Sequence, residues 1–401
     1  MNLLPELIIV GAGPVGLAAA LALCREGAVR CVTVLEADPP EARSGDQRNL
    51  ALSWASWQFL RCLGLELEAL PRAPIERVEI TQRGVFGCCR LAGEELGLPM
   101  LGAAVPYGAL VQALRAQARA VEAEGAGLSV RYGTRAVAVE HDGRGAVVVL
   151  ESGERLRASG VVLAEGTSGA ERTLVPGLYT YERASAQSAV LARVHVEREH
   201  HAALAVERFA AGGPIVLVPR VVPPGARPEW TLIWVRPHAE AEPLMAAAEA
   251  AFFAQANAQA ASSLGRLSPV SDPTARRTCY PLAWRVTEPR ACGAVVALGN
   301  AAQALHPVAA QGLNLGLADA RELALTLTAS GAAGLDLPLA FARYARSRAP
   351  DRLLRLGLTG LLAYGFDRGG WLFDVPRGLA LQALDLLPPL KKALVRGLVA
   401  G

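Results

Sequence analysis

Three observations predict an α/β fold in which a parallel-sheet domain is interrupted by a second, mostly antiparallel sheet and followed by helices. A β-branched run, Leu7-Ile8-Ile9-Val10, leads into a glycine-spaced turn and an Ala/Leu-rich helix. Two later apolar runs, Gly160–Ala164 and Gly293–Leu298, end in Glu165-Gly166 and Gly299-Asn300. Ile75–Thr81, Ala189–Val196, Ala205–Phe209, Pro214–Pro219 and Thr231–Arg236 read as the strands of the interrupting sheet.

Each element has a physical reason. Leu7–Val10 is the short apolar run that a parallel strand buried on both faces requires. It passes directly into Gly11-Ala12-Gly13-Pro14-Val15-Gly16, then a helix to about Gly27, then a second strand, Cys31–Leu35, ending at Glu36. G-x-G-x-x-G alone is weak, but between a strand and a helix it marks a dinucleotide site. Gly11 permits the tight turn, Gly13 admits a pyrophosphate to the backbone, and Gly16 allows helix and strand to pack closely. Pro14 counts with these glycines as a cofactor-binding residue, and the free N–H groups of the helix N-terminus face the phosphates. Glu36 accepts the ribose hydroxyls and repels a 2′-phosphate, so the site suits FAD or NAD rather than NADP. Glu165, Gly166, Gly299 and Asn300 bring two further strand ends to the same ligand, which favours FAD, a large cofactor held along its length.

Composition bounds the rest. At about 150 residues per domain, 401 residues make two to three domains, enough to bury cores without disulfides or metals. Apolar residues are 52% and charged residues 19%, below the average of about 25%, which excludes intrinsic disorder. A net charge of +3 gives no field that argues for nucleic acid, so a small-molecule partner is expected. Seven cysteines without a C-x-x-C pair fit a reduced, cytoplasmic protein, with the vicinal Cys88-Cys89 pair read as inert. The uncharged stretches Leu7–Cys24 and Ala291–Ala318 are broken by glycine, proline or polar residues, so neither is read as a signal segment or a membrane span. No metal site is expected, since His200-His201 stands without convergent carboxylates or cysteines.

The stretch from Val295 to Asp319, with Gly299-Asn300, His306-Pro307 and Gln311-Gly312-Leu313-Asn314, closely resembles the signature of the flavin-dependent ubiquinone-biosynthesis hydroxylases. Asp46-Gln47-Arg48, Glu207-Arg208-Phe209, Gly213-Pro214, Val218-Pro219 and Tyr280-Pro281-Leu282 extend the resemblance over nearly the whole chain. Gly-Asn at 299 and 300, Gln303 and the Arg-Phe…Gly-Pro pattern look most like the subgroup acting on 2-polyprenyl-6-methoxyphenol. The resemblance implies a single-component aromatic monooxygenase of the p-hydroxybenzoate hydroxylase type, its FAD in a Rossmann-like, glutathione-reductase-type domain. NAD(P)H is then a transient reductant, and O2 reacts through a flavin C4a-hydroperoxide that needs an apolar, water-excluding pocket. No second G-x-G-x-x-G follows, consistent with a nicotinamide nucleotide that docks briefly.

Carried over by residue, the resemblance gives Arg48 to the flavin side of the cofactor and Gln112, at a helix start, a polar cofactor contact. Gly299 and Asn300 fall near the ribityl chain or pyrophosphate. Pro307 shapes the reactive face, and the backbone N–H groups of Gly312, Leu313 and Asn314 stabilise the charge of the reduced ring. His306 in such a position is more often packed than a proton carrier. Glu165, Ala310 and Ala318 depart from the family's Asp, Gly and Arg, which bears on reductant contact and turnover.

The resulting domains are 1–71, 101–176 and 277–352 for FAD, 72–100 and 177–276 for substrate, and a helical C-terminal region, 353–401. An Ala-rich helix, Leu244–Ala261, covers the substrate sheet, and Phe209, Trp234, Tyr280, Pro281 and Leu282 are candidate pocket residues. The leucine-rich tail with Lys391, Lys392 and Arg396 suits core packing, an oligomer contact or peripheral docking on the inner membrane. Three readings stay open: hydroxylation of a polyprenyl phenol, a related hydroxylase acting on another ring position or aromatic, and an FAD-binding structural subunit of a ubiquinone-biosynthesis complex.

Overall fold

A computed structural model of the chain describes residues 4–42, 45–84, 86–142, 145–166, 175–197, 202–210, 212–304, 311–331, 336–354, 371–387 and 391. Strand Glu6–Val10 lies at the centre of a six-stranded sheet, parallel to Gly160–Leu163 on one side and Cys31–Leu35 on the other. Val295–Ala297 and Leu128–Arg131 continue the parallel array, and Ala291–Cys292 closes one edge antiparallel. Alternation along the first strand explains why all of it is apolar. Leu7 and Ile9 enter the core made with helices Pro14–Arg25, Tyr107–Ala123 and Gln311–Gly331, while Ile8 and Val10 enter the core on the opposite face. That face is covered by a three-stranded antiparallel sheet, Ala136–Asp142, Gly145–Leu150 and Arg155–Ala158. Full burial of each such side chain stabilises the fold by about 1.5–3 kcal/mol.

The second sheet has nine strands and is antiparallel except where Leu204–Phe209 runs parallel to Arg77–Gln82. Its spine is Tyr179–Glu197, paired with Trp230–Pro237 and with Thr278–Glu288. A small sheet of Asn49–Ser53, Gly102–Pro106 and Ala73–Ile75 packs against its face that carries Ala205, Val218 and Ile233.

Three sequence expectations change here. The segment Ile75–Thr81 is split between two sheets, since Ala73–Ile75 pairs with Gly102–Pro106 and Arg77–Gln82 joins the large sheet. Ala189–Val196 is the second half of a longer strand with an irregularity between Ala184 and Ser188. The helix expected over Leu244–Ala261 is two helices, His238–Ala246 and Glu249–Leu264, with Ala247 and Ala248 extended. Arg277 explains the break: its guanidinium donates to the carbonyls of Leu244 at 2.8 Å and Ala247 at 2.5 Å, satisfying helix-end acceptors that would otherwise be orphaned. Of the C-terminal region, Trp371–Leu386 is a helix, whereas 355–370, 388–390 and 392–401 lie outside the described residues. All seven cysteines are free. Among the described residues no helix is long and apolar enough to cross a membrane.

Candidate functional site

The carboxyl ends of the parallel strands open on a cleft of about 410 Å³. The glycine turn forms its floor by leaving side chains out. Gly11 holds φ at +106° and donates its N–H to the Leu35 carbonyl at 2.7 Å, and a Cβ there would stand 2.7 Å from the Ala164 oxygen. A Cβ on Gly16 would run into the Gly11 carbonyl oxygen. Gly13 differs, because a Cβ on it would meet no protein atom within 4 Å. Gly13 also precedes helix Pro14–Arg25, whose start carries no side-chain cap, so the first-turn N–H groups are left for a ligand.

Glu36 stands at the rim. It accepts the Ala12 N–H at 2.8 Å and the Asp38 N–H at 3.1 Å, which fixes the carboxylate at the end of the second strand. Arg48 is held by Asp46, with its Nε 2.8 and 3.0 Å from the two carboxylate oxygens, and stacks 4.7 Å over the Tyr107 ring. The hydrogen bond that Arg48 donates to Asp46 raises the Arg48 pKa above its ordinary value. The loop carrying both residues is tied to a helix start, since the N–H groups of Tyr107 and Gly108 donate to the carbonyls of Arg48 and Asp46.

Gly11, Gly13, Pro14, Glu36, Arg48, Glu165, Gly166, Asn300, Gly312 and Leu313 all line this one cleft. Gly16 lies behind the turn, and Gly299, at φ +53°, packs beneath Val15. Asn314 points elsewhere: its Oδ1 accepts the Ser53 N–H at 2.8 Å and its Nδ2 donates to the Ala51 carbonyl at 2.9 Å. Its side chain therefore pins the first turn of helix Gln311–Gly331 to strand Asn49–Ser53. Pro307, with His306, lies outside the described residues, as does His200-His201.

Gln112 is not at a helix start, because the helix begins at Tyr107; it lies exposed in the second turn, off the cleft lining. The same helix instead turns Tyr107, Val111 and Arg115 toward the cleft. Arg115 was missed by sequence reasoning, although its spacing of four from Val111 and eight from Tyr107 placed it on that stripe. It is 6% exposed, donates to the carbonyls of Pro40 and Ala42, and its buried Nε has no hydrogen-bond partner.

The five pocket candidates divide by strand alternation. Phe209 shares its face with Ala205, the side packed against the small sheet. Tyr280 pairs with Ala189 and is close enough to Arg48 to act on its charge, and Leu282 shares its face. Trp234 is corrected to a core residue: it lies on the opposite, helix-covered face, edge-on to Phe252 with ring centroids 5.9 Å apart. Pro281 alternates toward the same side as Cys279, which packs on that helical core. None of the five lines the nucleotide cleft. Among the described residues no group of three His, Cys, Asp or Glu side chains is placed to hold a metal.

The residues fit FAD: an open cradle at Gly13, uncapped helix N–H groups, a fixed rim carboxylate and an orphaned arginine nitrogen surround a single cleft. Comparison with known proteins agrees. The FAD binding domain family matches residues 5–351. Ubiquinone hydroxylase UbiL of Rhodospirillum rubrum is 30% identical over 397 residues, 98% of this chain and 88% of that protein. The 3-demethoxyubiquinol 3-hydroxylase of Escherichia coli is 28% identical over 401 residues, 96% of each chain. Among solved structures, p-nitrophenol 4-monooxygenase PnpA from Pseudomonas putida superposes with a TM-score of 0.70 at 18% identity, covering 98% of this chain and 97% of that one, a likeness of fold.

Proposed function

The chain belongs to the flavin-dependent hydroxylases of ubiquinone biosynthesis, and from that premise we propose that it hydroxylates the ring of a polyprenyl phenol of the 2-polyprenyl-6-methoxyphenol type. It is an FAD-dependent monooxygenase, and its family typically draws electrons from NAD(P)H. The observation that carries the proposal is the meeting of the glycine turn, Glu36, Arg48, Asn300 and the start of helix Gln311–Gly331 around one cleft. Gly11, Gly13, Glu36, Arg48 and Asn300 would hold FAD there, and the bound flavin would supply hydride acceptance from NAD(P)H and dioxygen activation toward an electron-rich ring carbon. Phenol, O2, NAD(P)H and a proton are consumed, and hydroxylated phenol, NAD(P)+ and water are released.

The chain's own residues bind and orient. Gly11, Gly13 and the N–H groups after Pro14 hold the diphosphate, and Glu36 takes the adenosine ribose. Arg48, fixed by Asp46 and Tyr107, supplies positive charge to the flavin half, and Arg115 adds a second cation along the same wall. Backbone N–H groups at Gly312 and Leu313 oppose the negative charge of the reduced ring. Tyr280 and Leu282, on the sheet face toward Arg48, give the sheet side of the phenol site, whereas Phe209, 1% exposed, packs behind it as core. Exposed Leu353, Leu354, Leu379, Leu386 and Leu387 give the C-terminal region an apolar surface for peripheral membrane contact, where a lipid-soluble substrate is met.

A second reading keeps this chemistry and moves the ring carbon, favoured by the relative named for 3-demethoxyubiquinol hydroxylation. Incubating the purified protein with 2-polyprenyl-6-methoxyphenol, NADPH and air, and mapping the product, decides between them. One added oxygen on that phenol supports the proposal, and turnover only with the demethoxyubiquinol supports the second. Absence of phenol-stimulated flavin reduction would favour the reading as an FAD-binding structural subunit.

A further inference from the structure

A buried charge network in the parallel-sheet domain has no part in the function described so far. Asp319, on helix Gln311–Gly331, is 0% exposed and accepts from Arg348 Nε at 2.9 Å, Arg290 Nη1 at 3.2 Å and Gln303 Nε2 at 3.1 Å. Arg290, 3% exposed, also donates to the Gln303 side-chain oxygen and, at 3.4 Å, to the Tyr344 hydroxyl. Burial works against the Arg290 charge, yet Tyr344 and Asp319 beside it keep its pKa above the ordinary value. Buried ion networks are a poor route to stability, since apolar side chains of equal volume serve as well or better. What distinguishes this one is where its members sit in the chain. Gln303 lies two residues before the segment 305–310, and Asp319 lies on the helix that begins directly after it. The first turn of that helix brings Gly312 and Leu313 to the cleft.

We propose that Gln303 and Asp319 are positioning residues which, bridged by Arg290, fix the two chain ends flanking residues 305–310 and so aim the helix N–H groups at the flavin. Asn314 anchors the first turn to Ser53 and Ala51, and Asp319 anchors the same helix five residues further on. With both anchors the helix has one axial position; with one it pivots. Stabilisation of charge by oriented N–H groups falls steeply with displacements of about 1 Å. The inference rests on the flavin site proposed above and is independent of which phenol is used.

The test replaces Gln303 by Met, which keeps the volume and leaves Asp319 with both arginines. In the full-length protein, FAD affinity falls about tenfold, as for loss of a buried hydrogen-bond bridge. The midpoint potential of the bound flavin moves negative because its reduced, anionic form is less well stabilised. Arg290→Lys keeps the charge but loses the planar fork that joins Gln303 to Asp319, and shifts the potential in the same direction. Either variant retaining wild-type potential and FAD affinity within about twofold overturns the proposal, given the size expected of a lost hydrogen bond. So does a variant that loses FAD only in step with unfolding, which would make the network purely structural. Neither readout needs substrate, so a negative phenol assay leaves this test intact.

Discussion

Asp319 and Asp272 are each paired with arginine, and burial makes them different devices. Asp319 is enclosed with Arg290 and Arg348 in the parallel-sheet domain. Asp272 stands at the edge of the large sheet with its side chain 32% exposed, accepting from Arg193 at 2.6 Å and from the Thr274 N–H and hydroxyl at 2.8 Å. Arg193 also holds Glu229 through Nε at 3.0 Å and Nη2 at 2.9 Å. When a partner is lost at the edge, water replaces it. In the core no water arrives, and the remaining charge is stranded. The edge cluster is therefore dispensable by single residues, whereas the core cluster tolerates replacement only as a set.

The sharpest break of this contrast is Asp319→Leu. It strands the Arg290 guanidinium, leaves Arg348 with Asp351 as its remaining carboxylate, and is expected to cost about 3–5 kcal/mol in chemical denaturation. Adding Arg290→Met and Arg348→Met should return most of that loss, because the desolvation penalty leaves with the charges. A single substitution costing less than about 1 kcal/mol would place Asp319 with the surface pairs and erase the distinction.

The glycine turn is a third kind of site, made by omission, and its last two glycines, Gly13 and Gly16, separate binding from folding. Gly16→Ala drives a methyl into the Gly11 carbonyl and is expected to cost about 1–3 kcal/mol in a thermal melt, with FAD lost in the same variant. Gly13 sits at φ −73°, ψ 178°, open to alanine, and its Cβ meets only the cleft. Gly13→Ala should leave stability unchanged or raise it by up to about 1 kcal/mol. Its FAD affinity should still fall about tenfold, because backbone contact with the phosphates is lost. Equal losses of stability in the two variants would show that the turn serves folding alone.

This turn was legible in the sequence because its demands are local: six residues, a strand before and a helix after. The same holds for Glu36, which follows directly on its strand. The Asp319 network was not legible, although Asp319 lies in the stretch that carries the family resemblance. Its two arginines are each 29 residues away, one before and one after, and they meet because helix Leu337–Ser347 packs both on helix Gln311–Gly331 and on strand Ala291–Cys292, next to Arg290. Distance in sequence also hid the break after Ala246, made by an arginine about 30 residues later. Alternation told that Trp234 and Val235 face opposite ways. It could not tell which face the helices cover, and that choice put Trp234 against Phe252 instead of the pocket. Gln112 and Arg115 show the same limit on a helix, where the expected helix start lay five residues past the real one.

The smallest expected effect belongs to Asp272, and its sign follows from its partners. The Thr274 N–H, the Thr274 hydroxyl and Arg193 push its pKa down from 3.8 to about 2. Between those values the unfolded chain binds a proton that the folded chain refuses, so stability falls as pH drops through this window. The contribution is fully present above the unfolded value and gone below the folded one. Asp272→Asn removes the titration, so its denaturation midpoints should fall less steeply than wild type between about pH 4 and pH 2. Because the group faces water, about 0.5 M salt should narrow the difference, whereas the loss in Asp319→Leu should persist in the same buffer. An Asn variant whose acid limb coincides with wild type would mean that Arg193 is held by Glu229 alone and that Asp272 adds nothing to the edge.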